Sequence, residues 1–154
     1  MKILSLLLGF LFTAPFILST YSLIPFLGRK KALRIVGRQL TSTAALGLKV
    51  LIPRIHSKRD YSIFKEKVKR NFLFVGRLYH LRIEHETGDK IEFRFHFCPV
   101  STMLKIFGLS DLCRYSCAGD WEIAKENKEY WTFSRQTTIG TGGRYCNHTY
   151  TRKE

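Results

Sequence analysis

The sequence predicts an α+β protein: an N-terminal membrane helix, then helices packed on a small antiparallel sheet of about four strands. Three observations carry this reading. No charged residue stands between Lys2 and Arg29. From there to residue 79, apolar residues recur at the three- and four-residue spacing of a helix. From His80 onward the apolar period falls to two around a Gly88-Asp89 turn, and strand composition returns near the C-terminus. The changes divide the chain into a transmembrane anchor at 1–28, a basic helical segment at 29–79 and an α+β domain at 80–154.

The apolar run at the start exceeds the roughly 20 residues a helix needs to cross a bilayer. It also outlasts the apolar core of a secretory signal, about 7–15 residues, and no A-x-A cleavage site closes it. A cleaved signal and a buried core helix are the rival readings. Pro15 and Pro25 are tolerated in membrane helices. Arg29, Lys30, Lys31, Arg34 and Arg38 crowd behind the run, whereas Lys2 stands alone before it. The positive-inside bias then makes this a single-pass membrane protein with its C-terminal domain in the cytoplasm.

The net charge of +14 is concentrated in the same region. Clustered Lys and Arg suit phosphates of any kind. Beside an apolar helix they suit anionic lipid, at about 1 kcal/mol per residue. Membrane lipid is therefore an expected partner and nucleic acid is not.

Behind the anchor, Leu33, Val36, Leu40, Ala44, Ala45, Leu48 and Leu51 stripe one face of a helix over 31–52, which Pro53 ends. Phe64, Val68, Phe72 and Val75 stripe a second helix over 61–78. A hairpin follows: Leu81, Ile83 and His85 alternate with charged residues, then Ile91, Phe93, Phe95 and Phe97 do the same. Pro99 to Phe107 reads as a short helix stopped by Gly108. Ser110 is placed to cap a further helix over 111–125. Tyr130 to Ile139 and Arg144 to Thr151 have strand composition, with a turn at Gly140, Gly142 and Gly143.

Chemistry-bearing residues gather in three places. Cys98 precedes Pro99, so it caps the helix that Pro99 opens. A helix N-terminus lowers a thiol pKa and can make a nucleophile, although a buried, inert cysteine is the commoner case. Cys113, Cys117 and Asp120 share one helical face. In an extended strand Cys146 and His148 project to one side, as do His96 and Cys98 in the hairpin. Such a set could bind a divalent metal, but no C-x-x-C spacing marks one, so the cofactor stays open. A cytoplasmic domain keeps its cysteines as thiols.

Cys98 after a strand, Phe107-Gly108-Leu109, Cys117 with Asp120, Arg135, Thr138-Ile139, Gly142 and Cys146 before Tyr150 occur in an order that resembles the L-2-amino-thiazoline-4-carboxylic acid hydrolase family over about 95–150. The resemblance implies hydrolysis of the C=N bond of a small cyclic amidine, on a route toward cysteine. It implies Cys98, Cys117, Asp120 and Cys146 as catalytic positions. Arg135 suits a substrate carboxylate through its planar fork, with His96 and His148 as further substrate contacts. The chain departs from the family pattern at Thr141, Asn147 and His148. The closing strand is also similar to vinyl-reductase-type ligand-binding domains. That similarity implies the alternative of a membrane-tethered domain that binds a small molecule or metal without turnover.

Overall fold

The computed structural model describes residues 2–154; Met1, the first residue of the expected anchor, lies outside them. The described residues form five helices and a four-stranded sheet. The mixed α+β architecture is the one the periodicity predicts.

Helix α1 (Lys2–Leu27) is long and apolar enough to cross a membrane. One side of it is nevertheless buried against the protein. Ser5, Gly9, Thr13, Ile17 and Thr20 form that side, recurring at helical spacing so that small residues line a single face. A side chain on Gly9 would overlap the Pro99 backbone at 2.8 Å. The buried hydroxyls are satisfied within the helix, Thr13 Oγ1 donating to the Gly9 carbonyl at 2.8 Å and Thr20 Oγ1 to that of Phe16 at 2.7 Å. Farther along, Phe10 stacks on Phe107 and the Tyr21 hydroxyl donates to the Phe107 carbonyl at 2.6 Å. The opposite face, with Ile3, Leu7, Leu11, Leu18 and Phe26, is exposed.

Gly28, at φ 73°, turns the chain into helix α2 (Arg29–Leu51). Its basic residues Lys30, Lys31, Arg34 and Arg38 face outward while Leu33, Val36 and Leu40 are buried. The helix stops at Ile52, which is extended because Pro53 follows. Helix α3 (Tyr61–Tyr79) buries Phe64, Val68 and Phe72 and ends in a left-handed His80.

Strands β1 (Leu81–Glu86), β2 (Lys90–Phe95), β3 (Trp131–Ser134) and β4 (Cys146–Arg152) pair antiparallel in the order β1-β2-β4-β3. Helices α4 (Pro99–Ile106) and α5 (Cys113–Glu126) lie in the long connection between β2 and β3. Two expectations shift. Ser110 opens a short 3-10 turn rather than capping α5, and α5 starts at Cys113 with no side-chain cap. The strand expected over 130–139 ends at Ser134, because the chain then bends to deliver Arg135 and Thr138 inward.

Two apolar clusters result. The first joins α3 to the sheet through aromatic contacts, including Phe64 with Trp131 at 5.2 Å and Phe72 with Phe93 at 5.0 Å between ring centres. The second joins α1, α2, α4 and α5 through Ile17, Val36, Leu40, Leu104 and Cys113. Helices α2 and α5 approach closely, since a side chain on Gly119 would meet the Ala45 nitrogen at 2.9 Å.

Candidate functional site

A cavity of about 390 Å³ lies where the two clusters meet, lined by residues of both. Its polar end is formed by Asp120 and Cys117 from α5, Arg135 and Thr138 from the β3–β4 connection, Cys146 and His148 from β4, and Cys98 at the start of α4. Six of the seven expected site residues therefore face one space. His96 does not. Strand β2 ends at Phe95, the alternation stops there, and His96 is left exposed near Tyr145. Cys113 shares the α5 face only in part, for it is buried in the second cluster with its thiol directed at the Ser101 carbonyl, 3.8 Å away.

Arg135 and Asp120 form the electrostatic centre. Nη1 donates to Asp120 Oδ2 at 2.6 Å, and Nη2 donates to the Cys117 carbonyl at 3.0 Å. Both side chains are more than nine-tenths buried, which such a pairing makes tolerable. The guanidinium expected to clamp a substrate carboxylate is thus already engaged by Asp120. The second carboxylate oxygen, Oδ1, is 3.8 Å from His148 Nδ1. That nitrogen is buried and has no hydrogen-bond partner. The imidazole sits between the rings of Phe95 and Phe133, at 4.7 and 5.4 Å. Burial lowers its pKa; Asp120 opposes that effect and Arg135 adds to it. A neutral imidazole beside a carboxylate is a competent proton acceptor.

The thiols play a different part. Cys98 does cap α4, with Sγ accepting from the Ser101 amide at 3.4 Å and Pro99 in the first turn. Burial raises its pKa despite that bond. Cys117 is pushed up to about 11, again by burial first. Both are therefore neutral near pH 7 and poor nucleophiles. Between Cys117 and Cys146 stands the Thr138 hydroxyl, 3.3 Å from each sulfur, and the Ile139 amide donates to Cys146 Sγ at 3.2 Å. The hydroxyl occupies the position between the sulfurs that a shared ligand would take. Among the described residues no three His, Cys, Asp or Glu side chains converge as metal ligands.

Two contributors had no signal in the spacing. Thr138 is one. Asn147 is the other: buried, it accepts the Gln136 and Thr137 amides on Oδ1 at 3.0 Å each and so holds the bend that presents Arg135 and Thr138. Only an acceptor is required at that place, and the amide oxygen supplies it.

No curated protein matches the chain. Among solved structures, a trafficking protein particle complex subunit 3 from Naegleria fowleri, covalently bound to palmitic acid, is similar at 12% identity and a TM-score of 0.42, covering 100% of this chain and 98% of that one. The family match extends well beyond the C-terminal part, over residues 17–150, and takes in α2, α3 and the second half of α1. By that match, the chain belongs to the L-2-amino-thiazoline-4-carboxylic acid hydrolase family.

Proposed function

We propose that the chain is a membrane-associated hydrolase-like protein that adds water to the C=N bond of a cyclic amidine. The observation that carries this reading is the unbridged pair of Asp120 Oδ1 and His148 Nδ1, 3.8 Å apart at the polar end of the cavity. A water in the cavity beside this pair attacks the amidine carbon. Its proton passes to the imidazole as the π pair of the C=N bond moves to nitrogen, and the imidazolium then returns a proton to that nitrogen, leaving the neutral hydrate. The adjacent carboxylate stabilises the imidazolium so formed. Arg135 keeps Asp120 in place, and the neutral thiols shape the pocket around the substrate.

Attachment follows from α1. Seated on α4, it offers its apolar outer face to a bilayer, with the exposed Arg and Lys of α2 beside it for anionic headgroups of the cytoplasmic leaflet. This reading keeps the packing between α1 and α4 intact, which a fully inserted span would have to give up.

The test is turnover of 2-amino-thiazoline-4-carboxylate by the purified full-length protein, followed by product chromatography. His148→Gln is expected to lower kcat about 100-fold or more, the scale of general-base catalysis. Unchanged turnover in that variant refutes the mechanism. Tight substrate binding with no turnover by the wild type would favour a binding domain, a reading that the two suppressed thiols also support.

A further inference from the structure

The cavity is more apolar than a small polar heterocycle requires. Beyond the polar cluster its walls are Leu8, Phe12, Leu48, Leu51, Val75 and Leu78, contributed by α1, α2 and α3. Among the described residues, Asp120 and Arg135 are the only charged side chains along its lining, and they neutralise each other. A fully solvated substrate would gain little from such walls, whereas each methylene of an apolar chain buried there adds favourable burial.

The opening points the same way. Leu8, Thr43 and Gly47 line the cavity and are also exposed, so it reaches the surface between α1 and α2. Helical spacing places Leu4 and Leu11 one turn either side of Leu8, Val50 one turn beyond Gly47 and Phe74 one turn before Leu78. These four are 54, 59, 79 and 87% exposed. Exposed apolar side chains contributed by three helices around an apolar opening mark contact with lipid rather than water. At the inner end, His148 Nδ1 has no hydrogen-bond partner and Asp120 Oδ1 stands 3.8 Å away, a fixed demand for a hydrogen-bonding head.

We infer that the ligand of this site is a single-chain amphipathic lipid. Its chain lies between α1, α2 and α3, its small polar head lies against the Asp120, Arg135 and His148 end of the cavity, and it enters from the bilayer between Leu8 and Gly47. The inference shares with the proposed function the placement of the ligand site at the polar cluster, and it goes beyond that reading in the molecule it assigns there.

Native mass spectrometry of the protein, released from detergent after incubation with tetradecan-1-ol or with butan-1-ol, tests it. Tetradecanol is expected to stay bound as a one-to-one adduct and to raise the melting temperature; butanol does neither. Gly47→Phe provides the block. A side chain there meets nothing within 4 Å, so the variant folds while its ring enters the mouth, and the adduct should fall at least tenfold. Absence of a tetradecanol adduct, equal retention of butanol, or an undiminished adduct in a folded Gly47→Phe protein overturns the inference. Turnover of the cyclic amidine is scored separately. Turnover without chain retention sinks this inference and leaves the hydrolase reading standing; retention without turnover does the reverse.

Discussion

Replacing Asp120 with asparagine keeps the shape of the side chain, removes its charge and leaves the Arg135 guanidinium buried without a counter-ion. Arg135 and Asp120 are only 9% and 8% exposed, and 2.6 Å apart. Removing one partner of a buried pair costs about 3–5 kcal/mol, most of it the penalty of the stranded charge. Arg135 keeps its bond to the Cys117 carbonyl at 3.0 Å, and the rings of Trp121 and Phe133 lie 6.0 and 5.8 Å from its guanidinium carbon. These contacts place the loss at the lower end, about 3 kcal/mol. For a chain of this size that corresponds to a fall in Tm of about 6–12 °C. Thermal and urea unfolding of the two proteins in the same detergent measures it. The double variant Asp120→Leu with Arg135→Met should recover much of the loss, because no unpaired charge is left behind. A loss below about 1 kcal/mol for Asp120→Asn, or a double variant worse than the two single changes added together, would refute the account of this pair.

Three further outcomes follow from the same geometry. At neutral pH the Cys98 and Cys117 thiols, both raised by burial, should alkylate far more slowly than a free thiol and reach the free rate in urea; a thiol faster than free cysteine would show activation instead. The depressed pKa of His148 means that the unfolded chain binds its proton more readily than the folded one. Stability should therefore decline as pH falls below the ordinary value of 6.5, with a slope of up to ~1.4 kcal/mol per pH unit. That component should vanish in His148→Gln, and unfolding curves of both proteins between pH 5 and 8 would expose an error of sign. Vesicle flotation is expected to show binding that strengthens with anionic lipid and weakens with salt; extraction of the bound protein at alkaline pH separates surface attachment from a spanning helix.

Much of the fold was legible because its elements are locally consistent. The stripe from Phe64 to Phe72 and the alternation from Ile91 to Phe95 each specify a structure by period alone. Cys98 was placed as a cap by Pro99, a constraint that acts on the adjacent residue. Its reactivity was not legible, since the helix end favours the thiolate while burial opposes it, and burial depends on α1, α2 and α4 coming together. The same limit explains His96. It belongs to the strand pattern by sequence, but sheet pairing to Cys146 stops at Phe95, so the next residue is free of the pleat. Arg135 was chosen for a substrate carboxylate by chemistry. Only the fold reveals that Asp120, fifteen positions earlier, already satisfies it.

The seating of α1 bears on how the protein is best handled. An N-terminal apolar helix is commonly trimmed away to obtain a soluble fragment. Here the trimmed piece would take Ser5, Leu8, Gly9 and Phe12 with it, and these form one wall of the cavity. It would also remove Ile17 from the cluster containing Val100, Leu104 and Leu109. A fragment beginning at Arg29 would present that cluster to water, invite self-association, and return assays of a pocket that lacks a side.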